Sequence, residues 1–193
     1  MLSNLQFKFL VAFGSNVSDD INESFRIVNL ALSELNNKSI KIDSISKYYQ
    51  TPAFPTGAGP DFVNCAALGK TTAAPDELLT MFHAIEANLG RKRVQRWGQR
   101  SVDIDLIFYE DFVKPDLKTF QNWVDLPLAD QMTETPEQLL LPHPRVQDRA
   151  FVLIPLMDVA PDWNHPVLQK TVSEMCGDLP EMLRSEVRQI SDA

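Results

Sequence analysis

Apolar positions along the chain alternate between two spacings, and each change of spacing marks an element. Phe7 to Phe13 is apolar apart from Lys8, which predicts a strand buried on both faces near its middle. Gly14-Ser15-Asn16 turns the chain. Asp20 with Glu23 three residues on resembles a capping box, and Ile21, Phe25, Val28, Leu32 and Leu35 then recur at three and four, predicting a helix with one apolar face. Asn36-Asn37 ends it. Ile40 to Gln50 predicts a second strand, Thr51 to Pro60 a proline- and glycine-bearing loop, and Phe62 to Leu68 a third strand. Pro75 suits the first turn of a second helix, with Leu78, Phe82, Ile85 and Leu89 on one face and Gly90 as its stop. Val102, Ile104, Leu106 and Phe108 alternate with Asp103, Asp105, Ile107 and Tyr109, a fourth strand with one fully apolar face.

Beyond Tyr109 the pattern weakens. Glu110 to Gln138 has no clear periodicity and is long for a connection, so it reads as a functional lid or an insertion. Leu139 to Pro144 is extended. Arg149 to Val159 reads as a short helix interrupted by Pro155. Thr171 with Glu174 caps a last helix bearing Val172, Met175 and Leu179. The order β-α-β-β-α-β predicts an α+β fold: a ferredoxin-like sandwich with a mainly antiparallel sheet and additional C-terminal helices, residues 1–193 forming a single domain.

Charge changes the picture at two places. The formal net charge is -8, from 18 Lys and Arg against 26 Asp and Glu, which argues against a general nucleic-acid coat. Yet Arg91, Lys92, Arg93, Arg96 and Arg100 crowd one run with no acid between them, while 110–138 is strongly acidic. A local cationic cluster in an acidic protein points to a specific small anion. No apolar run approaches the ~20 residues of a membrane span. The two cysteines, Cys65 and Cys176, lie far apart in no metal or redox motif, so a reducing cytoplasm is expected.

Three constellations carry chemistry. Asp103 and Asp105 are two apart on a strand and so share a face, about 7 Å apart. A bare D-x-D is more often a solvated strand face. Here the opposite face is apolar and five cations come just before, which favours Mg²⁺, an ion that takes one or two carboxylates plus substrate phosphates. The basic run is the second: guanidinium forks match phosphate oxygens in pairs, and Trp97 inside a polar loop packs on something. No G-x-x-x-x-G-K-[ST] is present, so this is no P-loop protein. The third is His143 between Pro142 and Pro144, followed by Arg149 and Phe151, a weak signal by itself.

Together these blocks resemble a known family. Gly14-Ser15-Asn16, Tyr49-x-Thr51-Pro52, Asp61-Phe62-x-Asn64, Glu86-x-x-x-Gly90-Arg91, Arg96-Trp97-Gly98-x-Arg100-x-x-Asp103-x-Asp105, Pro142-His143-Pro144 and Arg149-x-Phe151-x-Leu153-x-Pro155-Leu156 occur in the order found in 6-hydroxymethyl-7,8-dihydropterin pyrophosphokinases of folate biosynthesis. The resemblance runs from about Leu10 to Pro161. It implies that Asp103 and Asp105 bind two Mg²⁺ ions on the phosphates of ATP. It implies that Arg91, Arg93 and Arg100 act in catalysis, and that these with Trp97, His143 and Arg149 handle ATP. It places the pterin between Phe62 and Phe151, with Asn64 reading its edge and Thr51, Pro52 and Phe54 helping. It further implies that the hydroxymethyl oxygen attacks the β-phosphorus of ATP and that AMP leaves; the sequence singles out no protein general base.

The chain departs from the family pattern at Ala53, at His83 and at Gln99. Many relatives are fused to a second enzyme of the pathway; 193 residues are expected to hold the pyrophosphokinase domain alone, acting as a cytoplasmic monomer with no nucleic-acid or membrane partner. Arg91 to Gln99 is expected to close over the site once ATP and Mg²⁺ supply the missing negative charge. Two other classes stay open: a nucleic-acid binder, disfavoured by the charge and by the lack of an aromatic RNA-binding string, and a non-catalytic sensor, disfavoured by the intact aspartate pair.

Overall fold

The computed structural model describes residues 5–36, 39–53, 59–90, 101–127, 130 and 134–191. The chain runs β1 (Phe7–Ser15), α1 (Ile21–Leu35), β2 (Ile40–Ile45), β3 (Tyr49–Thr51), β4 (Phe62–Thr71), α2 (Pro75–Asn88), β5 (Asp103–Tyr109), α3 (Leu117–Val124), a 3-10 turn (Val146–Asp148), α4 (Ala150–Val159), α5 (Val172–Asp178), α6 (Glu181–Ser185) and β6 (Arg188–Gln189). Every strand pairing is antiparallel, in the order β5-β1-β4-β3-β6, with β2 also on β4. β4 therefore lies between β1 and the β2–β3 ribbon, the split β-α-β arrangement. No helix among the described residues is long and apolar enough to cross a membrane.

Side-chain alternation on β1 divides the interior in two. Phe9, Val11 and Phe13 join Val63, Cys65, Ala67, Ile104 and Leu106 under α1 and α2, where Val28, Leu35, Leu78 and Phe82 are fully covered. Leu10 and Ala12 face the other way and pack with Ala66, Ile107, Val152, Leu153 and Leu156 of the C-terminal helices. Each such burial is worth about 1.5–3 kcal/mol.

The structure departs from the pattern at several points. The single strand expected over 40–50 is two strands. Ser46 leaves the ladder but keeps both bonds to Ala66: its amide donates to the Ala66 carbonyl (2.8 Å) and its Oγ accepts from the Ala66 amide (2.9 Å). On β5 the alternation does not run through to Phe108. Leu10 faces Phe108 while Val11 faces Leu106, so the pairing bulges at Ile107. The extra residue moves Phe108 to the C-terminal core and Tyr109 to the α1–α2 core. Asp20 caps α1 through the Asn22 amide (3.0 Å), in place of the expected reciprocal box. Pro155 lies within a continuous α4 and does not interrupt it. The acidic 110–138 stretch contains α3, capped by Asp116 and anchored by the buried Phe120. The Thr171–Glu174 capping box forms as expected.

Candidate active site at one end of the sheet

The strand register lines up the predicted residues. Asp103 of β5 is the partner of Gly14 on β1, Gly14 of Asn64 on β4, and Asn64 of Tyr49 on β3. Cross-strand partners share a face. This is the face covered by α4, because Ala12 and Ala66, two residues along, belong to the C-terminal core. One row thus runs Asp103–Gly14–Asn64–Tyr49. Asp105 stands beside Ala12 in the next row inward, and Thr51 beside Phe62 in the next row outward. Two strand spacings separate Asp103 from Asn64, about 10 Å. The residue between them has no side chain. A Cβ on Gly14 would sit 3.1 Å from Asn64 Oδ1 and 3.6 Å from the Phe62 ring. The first contact is too tight, so the glycine keeps the middle of the row open.

On the acidic side, Asp105 Oδ2 lies 3.3 Å from Nη1 of Arg149, the residue that precedes α4. Both side chains are about one-third exposed, so this pair has water on one side. The same Nη1 is 3.3 Å from His143 Nε2. The His143 amide donates to the Ile107 carbonyl (2.7 Å), which fixes the loop against β5. His143 Nδ1 accepts from the Arg145 amide (3.1 Å), so the neutral ring carries its proton on Nε2. Burial, and then the Arg149 charge, hold the imidazole well below its ordinary pKa. With the proton on Nε2, the imidazole and the guanidinium both present N–H donors beside Asp105, a setting suited to a further anionic oxygen.

On the other side, Asn64 is buried and donates from Nδ2 to Thr51 Oγ1 (2.8 Å), itself buried. The loop after Thr51 is tied at its ends by Gln50 Nε2 to Asp61 Oδ2 (2.8 Å) and by Asn16 Nδ2 to the Pro60 carbonyl (3.3 Å). Pro52 is exposed and Ala53 buried. Phe151, in the first turn of α4, is exposed and lies 5.7 Å below the Arg149 guanidinium. Among the described residues neither Phe62 nor Phe151 stacks on another aromatic ring. Phe54, Arg91, Arg93, Trp97, Gln99 and Arg100, and with them the expected closing run, lie outside the described residues.

The motif reading gave no role to Glu86. It is buried on α2 and accepts from the Ile104 amide (2.9 Å), bracing β5 between its two aspartates. Its signals were its place in the Glu86-x-x-x-Gly90-Arg91 block and a carboxylate beside the apolar face of the helix. Among the described residues no group of three or more His, Cys, Asp or Glu side chains is placed to hold a metal. The aspartate pair alone fits an ion that takes its remaining ligands from substrate phosphates and water. Two surface grooves of about 540 and 450 Å³ lie elsewhere, by the end of α1 and by the start of α2. They border none of these residues, so hollow size does not mark the site.

An α+β sandwich with carboxylates, a neutral imidazole and an arginine at one end of its sheet has the makings of a phosphoryl-transfer protein. The comparisons narrow the class. The family described as 7,8-dihydro-6-hydroxymethylpterin-pyrophosphokinase (HPPK) matches residues 10–161, and the chain belongs to that family. It is 33% identical to the 2-amino-4-hydroxy-6-hydroxymethyldihydropteridine pyrophosphokinase of Synechocystis, over 86% of this chain and 73% of that one. It is 29% identical to the protein of the same name from Aquifex aeolicus, over 85% of this chain and 87% of that one. A Plasmodium falciparum HPPK-DHPS structure superposes with a TM-score of 0.68 at 17% identity, covering 98% of this chain and 49% of that chain. That likeness shows the fold. The chain spans about half of the Plasmodium chain.

Proposed function

We propose that the row Asp103–Gly14–Asn64 is where this chain carries out its family's reaction. The protein is an ATP-dependent pyrophosphokinase that transfers diphosphate to 6-hydroxymethyl-7,8-dihydropterin in folate synthesis. The hydroxymethyl oxygen attacks the β-phosphorus of ATP, the bond from that phosphorus to the α-phosphate oxygen breaks, and AMP leaves with that oxygen. The hydroxyl proton passes to solvent. The observation that carries the placement is the register. It sets two carboxylates and a buried amide on one face, about two strand spacings apart, with glycine between them.

Each side chain then has a task. Asp103 and Asp105 would hold two Mg²⁺ ions, which gather the phosphate oxygens and offset their charge. Arg149 and the neutral His143 donate to a phosphate oxygen beside Asp105. Phe62 and Phe151 each keep a ring face for the flat pterin, and Asn64, steadied by Thr51, reads its edge. Pro52, beside Thr51, is assigned to that pocket, and Phe54 is assigned to it on the family resemblance alone. Arg91, Arg93, Arg100 and Trp97 complete the triphosphate side, on the family resemblance alone. The work is positioning and charge neutralisation, with no general base from the protein. The free thiols Cys65 and Cys176 support a cytoplasmic setting; we take the working unit to be a monomer.

Incubation with ATP, Mg²⁺ and the pterin alcohol tests the reading. AMP and pterin diphosphate should form one to one, and Asp103→Ala should slow the formation of both by about 10²–10³. Release of ADP, or full turnover by that variant, contradicts it.

A further inference from the structure

Besides the apolar packing of α4 on β4, one carboxylate ties the wall that carries Phe151 to the wall that carries Thr51 and Asn64. Asp158 lies seven residues after Phe151 on α4, two turns along the same helix face. Its Oδ2 accepts from the Tyr49 hydroxyl (2.8 Å) and from the Lys47 amide (3.0 Å). Tyr49 is buried, is the register partner of Asn64, and points to the same face as Thr51 two residues on. The Lys47 amide lies in the break between β2 and β3, where no strand ladder would otherwise hold it. β3 is only three residues long. Its inner edge pairs with β4 and its outer edge with the two residues of β6, supplemented by the Ile190 amide on the Tyr48 carbonyl (2.9 Å). So short a strand takes its position from what grips it. Asp158 is the grip that comes from α4, the helix that carries Phe151, and it adds to the apolar packing of Val152, Leu153 and Leu156 on the sheet.

We propose that Asp158 is a positioning residue for the pterin subsite, setting the gap between the Phe151 wall and the Thr51–Phe62–Asn64 wall. The proposal rests on the function proposed above. Most of the nucleotide side is held elsewhere: Asp103 and Asp105 by β5, His143 by its bond to the Ile107 carbonyl, and Arg149, at the far end of α4 from Asp158, by its pair with Asp105.

Asp158→Ala, Asp158→Asn and Tyr49→Phe separate the possibilities. Loss of both bonds should raise the pterin KM about fivefold, with kcat and the ATP KM close to wild type. The Asn variant should restore most of the loss, because its amide oxygen accepts both hydrogens. Tyr49→Phe, which keeps the Lys47 bond, should fall between and serves if the Ala variant does not fold. A wild-type pterin KM in both Asp158→Ala and Tyr49→Phe overturns the proposal, as does an equal rise for ATP and pterin. Wild-type protein that makes no pterin diphosphate overturns the function itself, a different result from an active enzyme whose variants are unshifted.

Discussion

The two faces of the sheet are built from the same strands and do different work. Under α1 and α2 the rows are apolar through most of their length, with Phe9, Val11 and Phe13 on β1, Val63, Cys65 and Ala67 on β4, Ile104 and Leu106 on β5, and the buried hydroxyls of Ser15 and Thr71 at their ends. Under α4 the rows are apolar only in the middle. At the end where β1 finishes and β4 and β5 begin, they become Asp103, Asp105, Gly14, Asn64 and Phe62. One face stores stability along most of its length. The other gives its last rows to groups that add little apolar burial: two carboxylates on one strand face, a buried amide and a residue with no side chain. Residues one apart on a strand therefore belong to different problems, and substitutions should show it.

The largest effect should come from the apolar face. Phe82→Ala is expected to cost about 3–5 kcal/mol in denaturant unfolding, with the ATP and pterin KM of the folded fraction unchanged. A shifted KM would show the two faces to be coupled. Next, Asp103→Ala or Asp105→Ala should lower turnover by about 10²–10³, in the range of a lost charge-stabilising group, with the thermal midpoint little changed. A collapse of stability would mean that the pair is structural.

A third effect lies on the site face but off the polar row. His165 is fully buried, against Phe120 of α3 and Trp163. Its Nδ1 accepts from the Val167 and Leu168 amides, which leaves the proton on Nε2. Burial pushes its pKa down to about 4 from 6.5. The folded state resists the proton that the unfolded state takes up, so stability is full above about pH 6.5 and declines as pH falls toward 4, by about 3 kcal/mol in all. His165→Asn, whose carbonyl can accept the same amides, should flatten that part of the stability–pH curve without changing pterin or ATP binding. An unaltered slope would assign the acid sensitivity elsewhere.

The smallest effects should fall on the pterin alone. Gly14→Ala puts a carbon 3.1 Å from Asn64 Oδ1, and Asn64→Ala leaves the pterin edge unpaired. Each should weaken pterin binding about tenfold, as an unmade buried hydrogen bond does, and leave nucleotide binding near normal.

What the sequence revealed follows the same division. Elements whose apolar periodicity reflects a whole buried face, β1, α1, α2 and the first part of β5, were legible from spacing. So was the shared face of Asp103 and Asp105, because it follows from strand geometry alone. The bulge at Ile107 was not, since it is set by pairing with β1 and leaves no mark on β5. The break at Ser46 was hidden because serine is at home in a strand and only its paired bonds to Ala66 reveal the exit. α3 buries one residue, Phe120, too little for a visible stripe, and its cap, Asp116 on the Thr119 amide, is seen only in the structure. β6 is two exposed residues with no pattern to read. The roles of Asn64, Phe62 and Phe151 came from the family resemblance. The register that aligns Asn64 with Gly14 and Asp103 came from the structure.

Titrating the two ligands separately tests the central claim most directly, that Gly14 divides a nucleotide side from a pterin side. A non-hydrolysable ATP analogue with Mg²⁺ is titrated calorimetrically into wild type, Asp103→Ala and Asn64→Ala, and the pterin alcohol is then titrated with the analogue held saturating. The account predicts that Asp103→Ala loses Mg²⁺-dependent nucleotide binding, while Asn64→Ala binds nucleotide like wild type and loses affinity only for the pterin. Equal loss of nucleotide binding in both variants would contradict it.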